Sequence, residues 1–425
     1  MKRNKKVVVL FIAVGFIVLS SLLIYAIFKL NPYSRAGYCF RHNQYEKAIK
    51  LYKKALKLNP EHSNSYYNMG ICYYNIELYN EAKECFEKSI SIKPTALAYN
   101  GLAVIYQDKE DYDKALSLYK KATNLEPNFP NALHNIGNVY VEQKEYDKAV
   151  VYYKKAIEIA PKFALSYYGL GRIYCDKNEY NSAIHFYKIA IKYNPNFAEA
   201  YYHIGLVYEV QNKYNVAISN YKKAVKYDPR LYDAHRRLGN VYYYNGNTAK
   251  AAEVFKKSAN LSSNSSDYNK LAFLYNEMKI FTEAEKSYKK AINIDANNPS
   301  ALNGLSYFYL KQNINLNKAF SLAQKAYDLK SNDCDIVDTL AYAYYRKGNY
   351  NKAISLYQEA LKLDNSIGEI HLHLALAYFK YNQANEAFEE TKKAIELDEK
   401  MIDEINKNKD YQEIKNSTVF KELLK

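Results

Sequence analysis

Apolar residues recur at helical spacing throughout residues 32–400, in short segments that polar turns separate. In residues 149–157, for example, Ala149, Val150, Tyr153, Ala156 and Ile157 would form one face of a helix. The segments come in twos, so the pattern predicts pairs of amphipathic helices. Each pair leaves an apolar face that only a neighbouring pair can cover, which requires several pairs in series.

The helix pairs return at a nearly constant interval. A small residue is expected where the two helices of a pair come closest, and a tyrosine or phenylalanine is expected to fill the space between pairs. An alanine opens the predicted second helix of each pair. These alanines predict eleven pairs at spacings of 33 to 35 residues, and they are Ala48, Ala82, Ala115, Ala149, Ala183, Ala217, Ala251, Ala284, Ala319, Ala353 and Ala387.

This arrangement of Gly70, Tyr73, Ala82, Phe86 and Pro94, repeated along the chain, resembles the tetratricopeptide repeat, whose period is 34 residues. The resemblance implies an all-α fold, a right-handed α-solenoid of about eleven tetratricopeptide helix pairs. Small residues and rings stand at the positions that the family uses over nearly the whole of residues 32–400, and corner prolines do so up to Pro229.

Departures from the pattern divide the predicted array. The corner proline is lost after Pro229, and Ser263 stands in its place, so a softer joint is expected near residues 260–266. We therefore expect a first part of seven repeats, residues 32–262, and a second part of four repeats, residues 263–400. Residues 401–425 are expected to form a C-terminal capping helix, and they are similar to the closing segment of bacterial arrays of this family.

The N-terminal segment differs from the array. Residues 7–28 are apolar and uncharged, and 22 helical residues would span about 33 Å, enough to cross a bilayer core. This predicts a transmembrane signal-anchor helix after a cytoplasmic basic tail, residues 1–6. The tail favours a cytoplasmic N-terminus and an extracytoplasmic repeat domain, in a single-pass membrane protein. Cleavage of the segment as a signal peptide is the alternative.

Charge and reactive residues narrow the expected chemistry. The formal net charge is +15, but much of it lies in paired lysines at one phase of the repeat, which is typical of a solvated helix face. Cys72 and Cys85 could pair in an oxidising compartment or remain free thiols. The eight histidines are scattered, so we expect no enzyme, no metal and no cofactor.

The resemblance also suggests where partners would bind. In this family the first helix of each pair lines the concave side, so residues near its small glycine or alanine are candidates for a binding groove. The alternative is that they are ordinary contacts between helices or solvated polar residues. The candidates are Tyr67, His134, Asn138, Tyr168, Arg172, Tyr202, Arg236, Asn240 and Tyr243.

These observations favour a non-enzymatic scaffold that binds partner proteins or peptides in the groove at a membrane surface, in envelope or secretion-complex assembly. The alternative is a protein that binds carbohydrate or a wall polymer through tyrosines and positive charge. Nucleic acid is not an expected partner, because the repeats are expected to lie outside the cytoplasm. The sequence does not indicate an oligomeric state.

Overall fold

The computed structural model describes residues 31–407 and 411–416, and within them the chain forms 24 helices and no strand. Helices α1 to α22 form eleven pairs in chain order, as the sequence predicted. The first helices are α1 (Pro32–Arg41), α3 (Ser63–Asn75), α5 (Ala96–Asp108), α7 (Pro130–Glu142), α9 (Ala164–Asp176), α11 (Ala198–Val210), α13 (Tyr232–Tyr244), α15 (Ser265–Glu277), α17 (Pro299–Gln312), α19 (Cys334–Arg346) and α21 (Gly368–Lys380).

The second helices complete the pairs, and two short helices follow them. The second helices are α2 (Tyr45–Leu58), α4 (Tyr79–Ile92), α6 (Tyr112–Leu125), α8 (Tyr146–Ile159), α10 (Tyr180–Tyr193), α12 (Tyr214–Tyr227), α14 (Thr248–Ser262), α16 (Phe281–Ile294), α18 (Leu316–Leu329), α20 (Tyr350–Leu363) and α22 (Ala384–Leu397). The short helices are α23 (Lys400–Lys407) and α24 (Gln412–Asn416). The chain divides within α11 into an N-terminal compact unit, up to Ile204, and a C-terminal compact unit, from Gly205.

Each turn inside a pair ends the first helix in a similar way. After α3, Glu77 adopts a left-handed conformation with φ of 63°, and the amide of Leu78 donates to the carbonyl of Tyr73 at 3.0 Å. This geometry satisfies carbonyls that the end of a helix leaves free. Gly246 and Gly348, with φ of 76° and 79°, occupy the corresponding places in the seventh and tenth pairs.

In the N-terminal unit, one aromatic ring of each second helix is buried against the first helices. The ring of Phe86 is an example, because a Cβ added at Gly70 of its own pair, or at Gly101 of the next pair, would lie 2.8 Å from it. The glycines are therefore required by close approach to a ring. The rings at this position are each no more than 2% exposed, and they are Tyr52, Phe86, Tyr119, Tyr153 and Tyr187.

The C-terminal unit repeats this core with two exceptions. Tyr221, Phe255, Tyr288 and Tyr357 are buried rings of the same kind, whereas the ninth and eleventh pairs carry Ala323 and Thr391 at the equivalent position. The small residue of the ninth pair also differs from the others. It is Ser306, whose buried hydroxyl donates to the carbonyl of Ala319 at 2.7 Å.

The corner that lacks a proline is held by a buried carboxylate. Ser263 adopts a left-handed conformation with φ of 49°, and α15 begins two residues later. Asp267 is 2% exposed and accepts hydrogen bonds from the hydroxyls of Ser258 at 2.6 Å and Ser262 at 3.2 Å. Side-chain hydrogen bonds thus join the two helices at the corner where other repeats have a proline. The division of the array between residues 262 and 263 stays a prediction.

The end of the described chain covers the last helix pair. Ile405 of α23, with Tyr411 and Ile414, is buried together with Leu372 and Ala394 of the eleventh pair. Capping is therefore carried by two short helices in the described residues, where the sequence predicted a single helix. Residues 408–410 and 417–425 of the predicted cap lie outside the described part.

The structure corrects the expected localisation. Among residues 31–407 and 411–416, the longest helix has 15 residues, and none is long and apolar enough to cross a bilayer, which takes about 20. A single-pass membrane protein with an extracytoplasmic repeat domain is therefore not supported by the described residues. The predicted segment, residues 7–28, lies outside the described residues.

The two cysteines considered for a disulfide are free. Cys72 and Cys85 are both buried and carry free thiols. Burial raises the pKa of each thiol to about 12. Both therefore act as small core residues of the second pair.

Candidate functional site

The candidate residues lie on the first helices, near the small residue that faces the core ring. Gly137 of α7 and Gly171 of α9 are buried, with ring carbons of Tyr153 and Tyr187 at 2.5 Å from an added Cβ. Most candidates stand three residues before or one residue after such a glycine. We refer to these positions as the first-helix face and consider each compact unit separately.

Two candidates of the N-terminal unit form hydrogen bonds with other residues of the protein. His134 is 7% exposed, and its ring nitrogens lie 3.2 Å from the amide nitrogen of Asn138 and 3.3 Å from the hydroxyl of Ser166. Asn138 in turn accepts a hydrogen bond from Tyr153 at 2.7 Å. Burial, and then the positive charge of Arg172, lowers the pKa of His134 to about 4. His134 and Asn138 therefore connect neighbouring helices.

Three other candidates of this unit lie close together and are partly accessible. Tyr168 is half-buried, with its ring 4.9 Å from Phe197 and 5.4 Å from His203, and burial raises its pKa to about 12. The side chain of Arg172, one turn further along α9, is 39% exposed. Tyr202 of α11 is half-buried and packs edge-on against His203 at 5.2 Å. Together they present aromatic edges and a guanidinium.

Tyr67 stands apart from the other candidates. It is half-buried on α3, and its ring lies 5.9 Å from that of Phe86 in the same pair. Burial raises the pKa of its phenol. The structure therefore places Tyr67 against the core ring of its own repeat and away from Tyr168, Arg172 and Tyr202.

The candidates of the C-terminal unit are engaged with the next repeat. Half of the Arg236 side chain is exposed, and its guanidinium lies 3.6 Å from Asp233 and 3.8 Å from Asp267. Tyr243 is half-buried beneath Lys270, whose ammonium is 4.5 Å from the ring centroid. Asn240, which lies between Arg236 and Tyr243 in the sequence, is half-buried.

A feature of the C-terminal unit was missed by the sequence reasoning. First helices α15, α17, α19 and α21 border an acidic cavity, and the candidates stop at Tyr243, before it. One signal could have revealed it. Asp335 and Glu369 are 34 residues apart, so the repeat places two carboxylates at the same position of neighbouring first helices.

Family models match most of the described chain. Models described as tetratricopeptide repeat match residues 62–125, 94–162, 152–185, 232–265 and 268–298. A model described as TPR repeat matches residues 39–76, 171–212, 210–246 and 341–382. The matched segments together cover more than half of the chain.

The chain belongs to the tetratricopeptide-repeat family. BBSome complex member BBS4 of Bos taurus is 30% identical over 98 residues, which are 23% of this chain and 19% of that protein. Hsp70-Hsp90 organizing protein 2 of Arabidopsis thaliana is 29% identical over 98 residues, 23% of this chain and 17% of that protein. The matches thus span about a fifth of these relatives, which are eukaryotic and do not support the expected bacterial, membrane-anchored type.

Solved structures resemble this tetratricopeptide-repeat chain over most of its length at low similarity. The APC/C hetero-tetramer Cut9-Hcn1 aligns with a TM-score of 0.46 and 14% identity, covering 92% of this chain and 95% of that chain. Yeast Tom70 aligns with a TM-score of 0.38 and 19% identity, covering 89% and 93%. At these values the likenesses carry no argument about function.

Proposed function

We propose that this tetratricopeptide-repeat protein is a non-enzymatic scaffold whose first-helix face binds partner proteins or peptides. The observation that carries the proposal is the group formed by Tyr168, Arg172 and Tyr202 in the N-terminal unit. Each is partly accessible, and they lie on the neighbouring first helices α9 and α11. Two relatives support it by name, since one is a BBSome complex member and the other an organizing protein.

The chemistry of this group suits a protein partner. Tyrosine and arginine are enriched among the residues that dominate binding energy at protein interfaces. Tyr168 is already fixed by its contacts with Tyr187, Phe197 and His203. Binding would therefore order few side chains, which lowers the entropic cost of association.

Arg172 supplies a directed cation to this group. Its nearest carboxylate is that of Glu142 at 3.9 Å, a long ion pair at a partly exposed position. Such pairs contribute about 0–1 kcal/mol, so a partner carboxylate or backbone carbonyl can replace this one at little cost. A guanidinium beside tyrosine rings also offers stacking and hydrogen bonding together.

Site-specific photo-crosslinking tests the proposal. Tyr202 is replaced by p-azidophenylalanine, and as the matched control Tyr193, a half-buried tyrosine of the second helix α10, is replaced in the same way. In extract of the source cells we expect discrete crosslinked products from position 202 and none from position 193. The same products should disappear when Arg172→Glu is added, with thermal unfolding compared to confirm folding. Equal labelling at the two positions would reject the first-helix face as the binding surface.

A further inference from the structure

The C-terminal unit contains a cavity of about 370 Å³ that opens on its first helices. Helices α15, α17, α19 and α21 each contribute side chains to its wall, and α16 contributes Tyr288. This volume is at the low end of ligand-binding pockets, which are roughly 300–1,000 Å³. The cavity therefore has room for one or two side chains of a partner.

Four carboxylates face this cavity, although the chain as a whole has a net charge of +15. Glu277, Asp335 and Glu369 are exposed, and Asp338 is 8% exposed. Within the described residues neither Glu277 nor Asp335 forms an ion pair. Burial, and then repulsion from neighbouring carboxylates, raises the pKa of Asp335. Their charges are thus only partly compensated.

The other two carboxylates are held in place by neighbours. Tyr307 donates its hydroxyl to Glu369 at 3.0 Å, and Lys311 lies 3.9 Å from the same carboxylate. A ring nitrogen of His373 lies 2.9 Å from Asp338. These contacts fix the carboxylates before any ligand binds, which favours binding because less order must be created.

The cavity wall has a buried hydrogen-bond acceptor without a donor. The side-chain oxygen of Asn303 is buried and has no hydrogen-bond partner among the described residues. Behind the wall, Nε2 of His373, a residue 1% exposed, also has no partner there, and it lies 3.7 Å from Glu369. The hydroxyls of Tyr307 and Thr339 are already used, by Glu369 and by the carbonyl of Asp335. The carboxylates and the free oxygen of Asn303 are therefore matched by a group that donates hydrogen bonds.

Aromatic rings complete the wall, and two of them already contact cations. The ammonium of Lys270 lies 4.6 Å from the ring centroid of Phe273, and that of Lys311 lies 5.2 Å from that of Tyr307. Aromatic faces attract cations through their quadrupole, and a guanidinium can also stack on them as a plane. Arginine is a cation, donates hydrogen bonds and accepts none.

We propose that this cavity binds a basic side chain, arginine foremost, of a partner peptide. The inference rests on the proposed scaffold function and names one class of partner for the C-terminal unit. The guanidinium lies between Phe273 and Tyr307 and donates to Asn303 and to the carboxylates of Glu277 and Asp335. The carboxylates select the charge, and the rings select the flat shape.

The absence of tryptophan from the sequence allows a direct test. Phe273→Trp in the full chain places a single indole at the cavity wall. We expect N-acetyl-arginine amide to change its fluorescence saturably in the millimolar range, and N-acetyl-citrulline amide, which has the same shape without the charge, to have little effect. Glu277→Gln with Asp335→Asn should weaken arginine binding about tenfold or more.

Two carboxylates of second helices, the exposed Glu253 and the half-buried Glu283, provide the matched control. Glu253→Gln with Glu283→Gln removes the same charge from α14 and α16 and should leave the titration unchanged. Equal responses to arginine and citrulline, or an unaltered titration in the cavity variant, would overturn the inference. If the unmodified chain self-associates and the cavity variant does not, the cavity would hold a lysine of a second copy, and this result would also overturn the inference. Crosslinking at position 202 that persists in the cavity variant would leave the proposed function intact.

Discussion

The ring of Tyr153 lies so close to Gly137 that a Cβ at this position would stand 2.5 Å from Cε1 of the ring. The same ring also approaches Gly169 of the next first helix, where an added Cβ would be 2.6 Å from its Cζ. Two first helices therefore share one ring, and both need glycine at the contact. Close packing of this kind leaves no space for an extra methyl group.

Gly137→Ala is expected to destabilise the N-terminal unit by about 1–3 kcal/mol, because the fully buried Tyr153 must shift to admit the methyl group. Thermal unfolding followed by circular dichroism measures the effect. Gly37→Ala is the matched control, since the nearest atom to its Cβ would be 3.6 Å away. In the middle of α1, alanine should stabilise by up to about 1 kcal/mol. Similar midpoints for the two variants would contradict the packing described for Gly137.

Much of the fold could be predicted from the sequence, because small and aromatic residues recur in it at a regular interval. The alanines that open the second helices predicted eleven pairs, and the described residues form eleven. The repeat interval does not reveal that one aromatic ring packs against two first helices. Gly101 and Gly169 stand at the same position of their first helices, and the structure shows that Phe86 and Tyr153 pack against them.

The candidate site was harder to predict than the fold. The phase of the repeat places His134 and Tyr168 at the same position of their first helices, yet His134 is buried and Tyr168 is half-buried. The difference depends on which neighbours each ring finds, and the repeat does not encode that. The acidic cavity combines residues from four repeats, and no single repeat indicates it. Only the repeat spacing of Asp335 and Glu369 could have predicted it.

The buried carboxylate at the corner without a proline provides a second prediction. Ser258→Ala removes the 2.6 Å hydrogen bond to Asp267 and leaves a buried charge with one donor fewer. We expect a loss of about 1.5–3 kcal/mol. Because this carboxylate joins α14 to α15, backbone amides of residues 260–267 should also exchange faster with deuterium.

An exposed serine with a local hydrogen bond is the control for this corner. Ser91 of α4 is exposed and donates only to the carbonyl of Lys88, at 2.9 Å, so Ser91→Ala should change stability by less than about 0.5 kcal/mol. Unchanged exchange at residues 260–267 in Ser258→Ala would mean that the corner does not depend on Asp267. The predicted softer joint requires amides of residues 260–266 to exchange faster than those around Pro161 and Pro195, which lie between earlier repeats. Slower exchange at residues 260–266 in the unmodified protein would contradict it.

Two histidines of the N-terminal unit should make its stability depend on pH. Burial, and then the positive charge of Arg172, lowers the pKa of both His134 and His203 to about 4, against 6.5 for an ordinary histidine. Below pH 6.5 the unfolded chain therefore binds protons that the folded unit does not bind. Stability should be fully present above pH 6.5 and fall as the pH decreases towards 4, by roughly 1–2 kcal/mol per histidine between pH 6.5 and 5.

Thermal midpoints at pH 7 and pH 5 test this dependence in matched variants. The double variant His134→Gln and His203→Gln should lose less stability on acidification than the unmodified protein, because neither glutamine takes up a proton. His185 is exposed on α10, so His185→Gln should keep the original dependence. Arg172→Gln should weaken the dependence, since removing the positive charge raises the pKa of both histidines towards its ordinary value. A loss that stays the same in the double variant would assign the acid sensitivity to other groups, and the two histidines would have no part in it.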